Sequence, residues 1–291
     1  MKTIDKTLKF DGRRVNTVCE IYDSPMELLE VCKSRKNNFA PRHDYFGNAT
    51  GDKSWNDFES CVDMWDSLTN GTSNTKLINE VSKNTTRMDR VDYTKRTQFF
   101  NNVQGFAPVV PLAIMGVPTN MMDTRTVKMK NKVLNLVWDC ALPSYAKPAE
   151  VRAVATEVLK QVVGLELSGY RVRLTAVSTF CNDGRSYALG LVIKRENEPM
   201  NLKRILFPTT SSAFCRGVAF GWYTRLPGAE EFWGFGRTAY HEYHSGYKGY
   251  YEQIFGPTAI PFSLAEFVDA GRKGRLESVV KDTISVKEAT A

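Results

Sequence analysis

The sequence predicts an α/β protein, and the pattern of its middle third carries this prediction. Val133–Trp138, Arg171–Val177 and Tyr187–Ile193 are short apolar or alternating runs typical of strands. A helix that opens at Pro148 and ends before Gly169 separates the first two, with its apolar face formed by Val151, Val154, Val158, Val162 and Leu165. A helical crossover implies that these two strands are parallel. We therefore expect a mixed sheet with helices packed on it, around a β-α-β-β core.

Helices are also predicted on either side of this core. Ser24-Pro25-Met26-Glu27 is a capping box with proline at the first helical position, so a helix should run to about Lys36. Helical spacing of apolar residues predicts further helices at 55–68, 74–83, 201–207 and 211–223. The expected organisation has four parts. A helical N-terminal part at 1–105 packs on an α/β core at 106–225, and an aromatic and glycine-rich loop region at 226–270 precedes a mobile tail at 271–291.

The composition is that of an ordinary globular protein. The chain has 291 residues, of which 42% are hydrophobic and 24% charged, so wholesale disorder is excluded. A net charge of +7 favours an anionic partner. The N-terminus lacks the apolar run of a signal peptide, and no run is long enough to span a membrane. We expect a cytoplasmic location and reduced cysteines.

Most of the positive charge is local. Residues 83–132 hold nine basic and three acidic residues, a net charge of +6. Such a segment is either a solvated face or a surface that neutralises phosphates. The candidate nucleic-acid-binding residues here are the nine cations and a neighbouring tyrosine: Lys83, Arg87, Arg90, Tyr93, Lys95, Arg96, Arg125, Lys128, Lys130 and Lys132.

A second segment is rich in aromatic residues. Residues 219–255 hold twelve of them, where the chain average of 11% gives about four. We find no clean helical or strand period, so three interpretations stay open: base stacking, an oligomer or partner interface, and internal packing. The candidate stacking residues and their cationic neighbours are Trp222, Tyr223, Arg225, Trp233, Phe235, Arg237, Tyr240, Tyr247, Lys248 and Tyr250.

Motifs of common enzymes do not support catalysis. The sequence has no phosphate-binding P-loop and no Gly-x-Ser-x-Gly nucleophile elbow. Gly234-Phe-Gly236 lies in the aromatic segment rather than after a strand, which argues against a dinucleotide site. His241 and His244 lack the further ligands that a zinc site needs. We expect no enzyme activity, no cofactor and no metal.

The stretch 109–227 resembles a family of phage-encoded proteins with a degraded von Willebrand factor A-like core. The resemblance rests on the predicted strand at 133–138, the long helix after it, and four short runs: Gly116–Pro118 with Met121-Met122, Ser168–Leu174, Val192–Lys194 with Glu198-Pro199, and Phe214–Val218. In that fold an Asp-x-Ser-x-Ser motif after the first strand holds a metal. Here the run is Asp139-Cys-Ala-Leu-Pro-Ser144, which lacks both serines of the motif, so the resemblance implies no metal site.

Size, basicity and aromatic content are also similar to those of the single-stranded-DNA-binding RNA polymerase cofactors of lytic podophages. This resemblance implies a transcription regulator that binds melted promoter DNA and recruits a phage RNA polymerase. Single-stranded DNA is the expected ligand because it exposes base faces and phosphates together. The alternative is a structural or interaction protein whose aromatic region binds a partner or a second copy of the chain.

Overall fold

The computed structural model describes twelve stretches of the chain, and the statements below concern these alone: 1–10, 12–33, 79, 95–128, 133–141, 146–167, 170–182, 184–211, 214–223, 225–227, 238–240 and 246–288. They form two sheets with helices. The α/β class is confirmed.

The larger sheet has six strands among the described residues. In chain order they are β1 Lys2–Phe10, β2 Arg13–Tyr22, β6 Val133–Asp139, β7 Arg171–Asn182, β8 Arg185–Lys194 and β9 Ala259–Ser263. Their order across the sheet is β1-β2-β8-β7-β6-β9. The pairs β2/β8, β7/β6 and β6/β9 are parallel, and β1/β2 and β8/β7 are antiparallel. The predicted parallel first pair is thus confirmed.

The smaller sheet is built from a single segment of chain. It contains β3 Lys95–Asn102, β4 Ala107–Pro108 and β5 Met121–Lys128, in the order β3-β5-β4 and all antiparallel. A short helix, α2 (Val110–Ile114), connects β4 to β5. We call these three strands the small sheet.

Seven further α-helices lie in the described residues. They are α1 Pro25–Lys33, α3 Pro148–Leu167, α4 Leu202–Thr210, α5 Phe220–Tyr223, α6 Tyr247–Phe255, α7 Leu264–Arg272 and α8 Leu276–Glu288, with a π-helical turn at Phe214–Ala219 before α5. None of the described helices is long and apolar enough to cross a membrane.

The two faces of the large sheet are covered very differently. One face, the helical face, packs against apolar side chains of α1, α3, α4, α5, α7 and α8. The other, the tyrosine face, packs against α6 through Tyr247, Tyr250, Tyr251 and Ile254. Alternation along β6 serves both cores, because Leu134, Leu136 and Trp138 lie in the first and Val137 in the second. A parallel strand buried on both faces requires such double cover.

The N-terminal part differs from the helical prediction. β1 and β2 pair as antiparallel neighbours, and β2 adds to the edge of the predicted core through β8. The helix predicted from Pro25 is present, whereas the helices predicted at 55–68 and 74–83 lie outside the described residues, apart from Asn79. β3, at Lys95–Asn102, was not predicted from the sequence.

The predicted domain limits do not match the strand pairing. The boundary between 105 and 106 falls inside the small sheet, and the boundary after 225 separates β6 from its partner β9. The tail was expected to be mobile from residue 271. Instead, α8 begins at Leu276 and buries Val280 in the core of the helical face, so most of this tail belongs to the fold.

Candidate nucleic-acid interface

Four of the predicted base-stacking residues are buried in the protein core. Trp222, Tyr223 and Tyr250 have no exposed surface, and Tyr247 is only 4% exposed. Trp222 and Tyr223 lie in α5 under the helical face, and Tyr223 stacks on Phe180 at 4.2 Å between ring centroids. The assignment of these four residues as base-stacking residues is therefore wrong. Their excess in the sequence reflects internal packing, the third interpretation considered above.

Arg225 also has an internal partner. Its guanidinium pairs with Glu20 of β2 and lies 5.3 Å from the centroid of the Trp222 ring. The same carboxylate oxygen, Oε2, accepts hydrogen bonds from Trp222 Nε1 at 2.9 Å and Tyr22 Oη at 2.5 Å. Because the Glu20 and Arg225 side chains are both mostly buried, this cluster ties β2 to the end of α5. Arg225 therefore acts as a structural cation within the fold.

The tyrosine face contains a polar network at the carboxyl end of β6. Tyr251 Oη donates to Asp139 Oδ2 at 2.7 Å, and the Ala141 N–H donates to Oδ1 at 3.0 Å. The Thr179 hydroxyl accepts from the Ala239 N–H and lies 3.4 Å from the Tyr251 oxygen. Burial raises the pKa of Asp139 to about 6, although both hydrogen bonds act to lower it.

A second polar chain lies beside this one. Tyr250 Oη lies 2.7 Å from Ser186 Oγ, which lies 2.9 Å from Thr17 Oγ1. Tyr250 and Tyr251 therefore both find a hydroxyl or carboxylate partner on the sheet, as buried tyrosines require. The hydroxyl groups of these tyrosines therefore hold α6 on the sheet, together with the packing of their rings.

Two other predicted residues lie at the margin of the tyrosine face. Tyr240 is half-buried and packs edge-on against Tyr247, with 5.2 Å between ring centroids. Lys248 is exposed, with its Nζ 5.9 Å from the centroid of the Tyr247 ring.

The two faces of the small sheet carry different aromatic groups, because Phe99 and Phe100 are successive residues of β3 and point to opposite faces. Phe99 and Phe106 are 61% and 63% exposed, and their ring centroids are 6.2 Å apart. On the neighbouring position of β3, Phe100 is half-buried, and the exposed Arg125 of β5 lies over its ring at 5.3 Å. These three phenylalanines were not among the predicted site residues, because they lie outside the segment in which aromatic residues are most numerous.

The backbone of the small sheet also carries three of the predicted cations. Lys95 and Arg96 lie at the start of β3 and Lys128 at the end of β5, with Lys95 directly opposite Lys128 in the register. Residues 95–128 include four basic residues and one acidic residue, a net charge of +3. The remaining candidates lie outside the described residues: Lys83, Arg87, Arg90, Tyr93, Lys130, Lys132, Trp233, Phe235 and Arg237.

Aliphatic residues are exposed in the segments that connect the strands of the small sheet. Val103 follows β3, Val110 and Ile114 lie in α2, and Met115 follows that helix. All four are more than half exposed, and Ile114 reaches 81%. Clusters of exposed apolar residues commonly mark interaction sites.

The described residues hold no group of three or more His, Cys, Asp or Glu side chains able to bind a metal. Asp139, at the position of the metal-binding motif in the resembled fold, is buried and already bonded to Tyr251 and Ala141. The five described cysteines are buried thiols, and burial raises the thiol pKa of both Cys19 and Cys32 to about 12. These thiols are poor nucleophiles near neutral pH.

The structural role of Arg225 leads to a prediction for Glu20→Gln. The substitution leaves a mostly buried guanidinium without its counter-charge, which should cost roughly 3–5 kcal/mol of unfolding free energy. Glu277→Gln is the matched control, because Glu277 forms an exposed, solvent-screened pair with Lys281 and its loss should leave the free energy of unfolding almost unchanged. Urea unfolding measures both. Equal losses in the two variants would contradict the structural role of the Glu20–Arg225 pair.

The raised pKa of Asp139 predicts a pH dependence of stability. Since the native pKa of about 6 exceeds the ordinary 3.8, the folded state holds the proton more tightly. This contribution is present below about pH 4 and is lost as pH rises through about 6, by about 3 kcal/mol in all. Asp139→Asn removes the titration, so its stability relative to the native chain should rise with pH over this range. Urea titrations at a series of pH values that show a constant difference would refute this.

Comparison with known proteins places the chain in a family. The model of a family described as "Domain of unknown function (DUF7192)" matches residues 4–259. None of the curated proteins compared matches the chain. Nor does any solved structure match it. The matched residues include most of β1, all of β2 to β8 and the first residue of β9, together with α1–α6. The chain therefore belongs to the DUF7192 family.

Proposed function

We propose that this chain is a non-enzymatic protein that binds single-stranded nucleic acid, with the small sheet as its base-binding surface. The observation that carries the proposal is the pair of exposed rings, Phe99 and Phe106, on the small sheet. Large exposed rings make few favourable contacts with the protein, and water does not replace these contacts. A ligand with flat apolar faces explains why they are there.

Base stacking is the interaction these rings favour. Stacking of a base on an exposed aromatic ring contributes about 1–3 kcal/mol per base and depends little on sequence. Arg125 lies over the Phe100 ring on the opposite face of the small sheet and adds a cation beside the stacking surface. Two exposed phenylalanines are enough for weak base stacking with a short single strand.

The charge of the segment supports contact with phosphates. The net charge of +3 over residues 95–128 places cations on the same strands as the rings. A duplex hides its base faces, so rings on a sheet gain little from it, whereas a single strand offers bases and phosphates together. The proposed ligand is therefore single-stranded, and DNA is the form that the resemblance to phage transcription cofactors favours.

The proposed cellular role is that of a transcription cofactor at melted phage promoters. This role rests on the similarity in size, basicity and aromatic content to the podophage cofactors. Such a protein needs a DNA surface and a separate surface for the polymerase. The exposed aliphatic residues Val110, Ile114 and Met115 beside the small sheet supply an apolar patch suited to the second task.

The same patch supports a second candidate function, that of an interaction protein without nucleic acid. In this case Ile114 and its neighbours would bind a second copy of the chain or another protein, and Phe99 and Phe106 would extend that interface. Aromatic residues and arginine are enriched at such interfaces as well. The location differs from the aromatic interface expected at 219–255, whose described rings are largely buried.

Phe99→Ala should weaken binding to a labelled deoxythymidine strand by roughly 5- to 100-fold, the equivalent of one stacked base. Arg125→Gln should lower the slope of log affinity against log salt by about 0.7, as expected for the loss of one phosphate contact with a single strand. Fluorescence anisotropy at several salt concentrations measures both.

Leu167→Ala and Arg152→Gln are the matched controls, because both residues are exposed on α3. They should leave affinity and slope unchanged. Absence of binding by the native chain, or equal affinity for duplex and single strand, would overturn the proposed function.

Ile114→Glu separates the two candidates. A single-strand-binding protein that is monomeric should keep its mass on a sizing column and lose little affinity for DNA. If the patch joins two copies, the native chain should elute as a dimer and this variant as a monomer, because a buried carboxylate is costly. The second outcome, together with undiminished DNA binding by Phe99→Ala, would favour the interaction protein.

A further inference from the structure

The helical face of the large sheet is covered over only part of β2. Glu20 and Tyr22 are buried near α1 and α5, and Val18 is half-buried. On the same face toward the hairpin turn, Asn16 and Arg14 are exposed. Residues that alternate along one strand share a face, so this half of β2 presents polar and basic side chains outward.

Neighbouring strands extend this exposed area. Lys9 of β1 is directly opposite Arg14, and Arg185 of β8 is directly opposite Asn16. Opposite residues point to the same face, and Lys9 and Arg185 are exposed like Arg14. We call Lys9, Arg14 and Arg185 the basic strand surface.

Polar and aromatic side chains adjoin these three cations. Thr7 donates a hydrogen bond to Asn16 Oδ1 at 2.9 Å, on the same face. Tyr187, two residues after Arg185, is half-buried and donates its hydroxyl hydrogen to Pro227 O at 2.8 Å. Asp5 is the acidic residue on this face of β1, four residues from Lys9. The surface is thus basic at the turn end of the hairpin.

The pairing of Lys9 with Arg14 is unfavourable for the fold itself. The Lys9 backbone N–H and C=O both bond to the side chain of Gln253, on the outer edge of β1. They therefore do not bond to β2, which makes Lys9/Arg14 a non-hydrogen-bonded pair, the kind in which opposite side chains lie closest. Like charges directly opposite each other destabilise a sheet. A ligand that binds both cations removes this repulsion.

We propose that the basic strand surface binds the phosphodiester backbone of a nucleic acid strand. This inference rests on the proposed function and adds to it a second contact, on the large sheet, for the strand whose bases stack on the small sheet. Cations with interspersed hydroxyl and amide groups, and no fully exposed ring, suit phosphates rather than bases. This contact should contribute affinity without sequence preference.

The test compares Lys9→Glu/Arg14→Glu with Lys273→Glu/Arg275→Glu. All four residues are exposed and the change in net charge is the same, but the control pair lies at the turn between α7 and α8. With a long deoxythymidine strand, the first variant should bind at least about tenfold more weakly, with a salt slope lower by about 1.4 for two lost contacts. Equal effects of the two variants would mean only a general charge effect and would overturn the inference.

Lys9→Glu alone separates binding from folding. It places a carboxylate opposite Arg14, so Tm should rise above that of the native chain while affinity falls. A lower Tm together with lower affinity would mean that Lys9 serves the fold, and would overturn the inference. Inorganic polyphosphate as competitor distinguishes the source of the phosphates. Binding of polyphosphate, with no binding of the deoxythymidine strand, would reject the nucleic-acid ligand.

Failure of this inference is distinguishable from failure of the proposed function. If Phe99→Ala weakens binding and Lys9→Glu/Arg14→Glu acts like its control, the small sheet binds the strand and the basic strand surface does not. If the reverse holds, the basic strand surface binds phosphates and the small sheet has no part in it.

Discussion

Double cover of the parallel strands is the constraint on which the rest of the structure depends. β6 and β7 send apolar side chains to both faces, so each face needs a layer of its own. Six of the described helices cover the helical face, whereas α6 covers the tyrosine face with three tyrosines and Ile254. The buried aromatic residues of α5 and α6 pack against the sheet as part of this cover. A ligand surface must therefore be sought elsewhere in the described residues.

The polar tips of the buried rings determine how this cover is held. Tyr251 and Tyr250 reach Asp139 and Ser186 on the sheet, and Trp222 reaches Glu20. Each of these bonds joins a helix to a strand that is distant in sequence. Tyrosine and tryptophan combine a large apolar area with one hydrogen-bonding group, which explains their use where leucine would bury apolar area without fixing the position.

Much of the core could be predicted from sequence because its signals are local. The helical period of α3 and the apolar run of β6 are both untypical of loops. Because α3 connects β6 to β7, the two strands are expected to be parallel, as they are. The spacing of Tyr247, Tyr250, Tyr251 and Ile254 also matches one helical face, but the surrounding aromatic residues obscured it.

The elements that were not predicted depend on long-range pairing or on weak patterns. β1 and β2 flank Asp11-Gly12, a dipeptide typical of hairpins, yet their interspersed Lys and Arg residues obscure the strand pattern in the sequence. β3 and β5 are separated by residues 103–120, and nothing local specifies their register. Prediction of the candidate site was limited in the same way. Composition located the basic segment, but only tertiary structure distinguishes exposed Phe99 and Phe106 from buried Trp222 and Tyr250.

Photo-crosslinking tests the central claim most directly, because it reports where the bases lie rather than how tightly they bind. A bromodeoxyuridine-substituted single strand is irradiated with the intact chain, and crosslinked peptides are identified by mass spectrometry. Base stacking on the small sheet predicts crosslinks at Phe99 or Phe106. Crosslinks confined to α5 and α6, at Trp222 or Tyr250, would contradict it, because these rings reach a base only if the core opens.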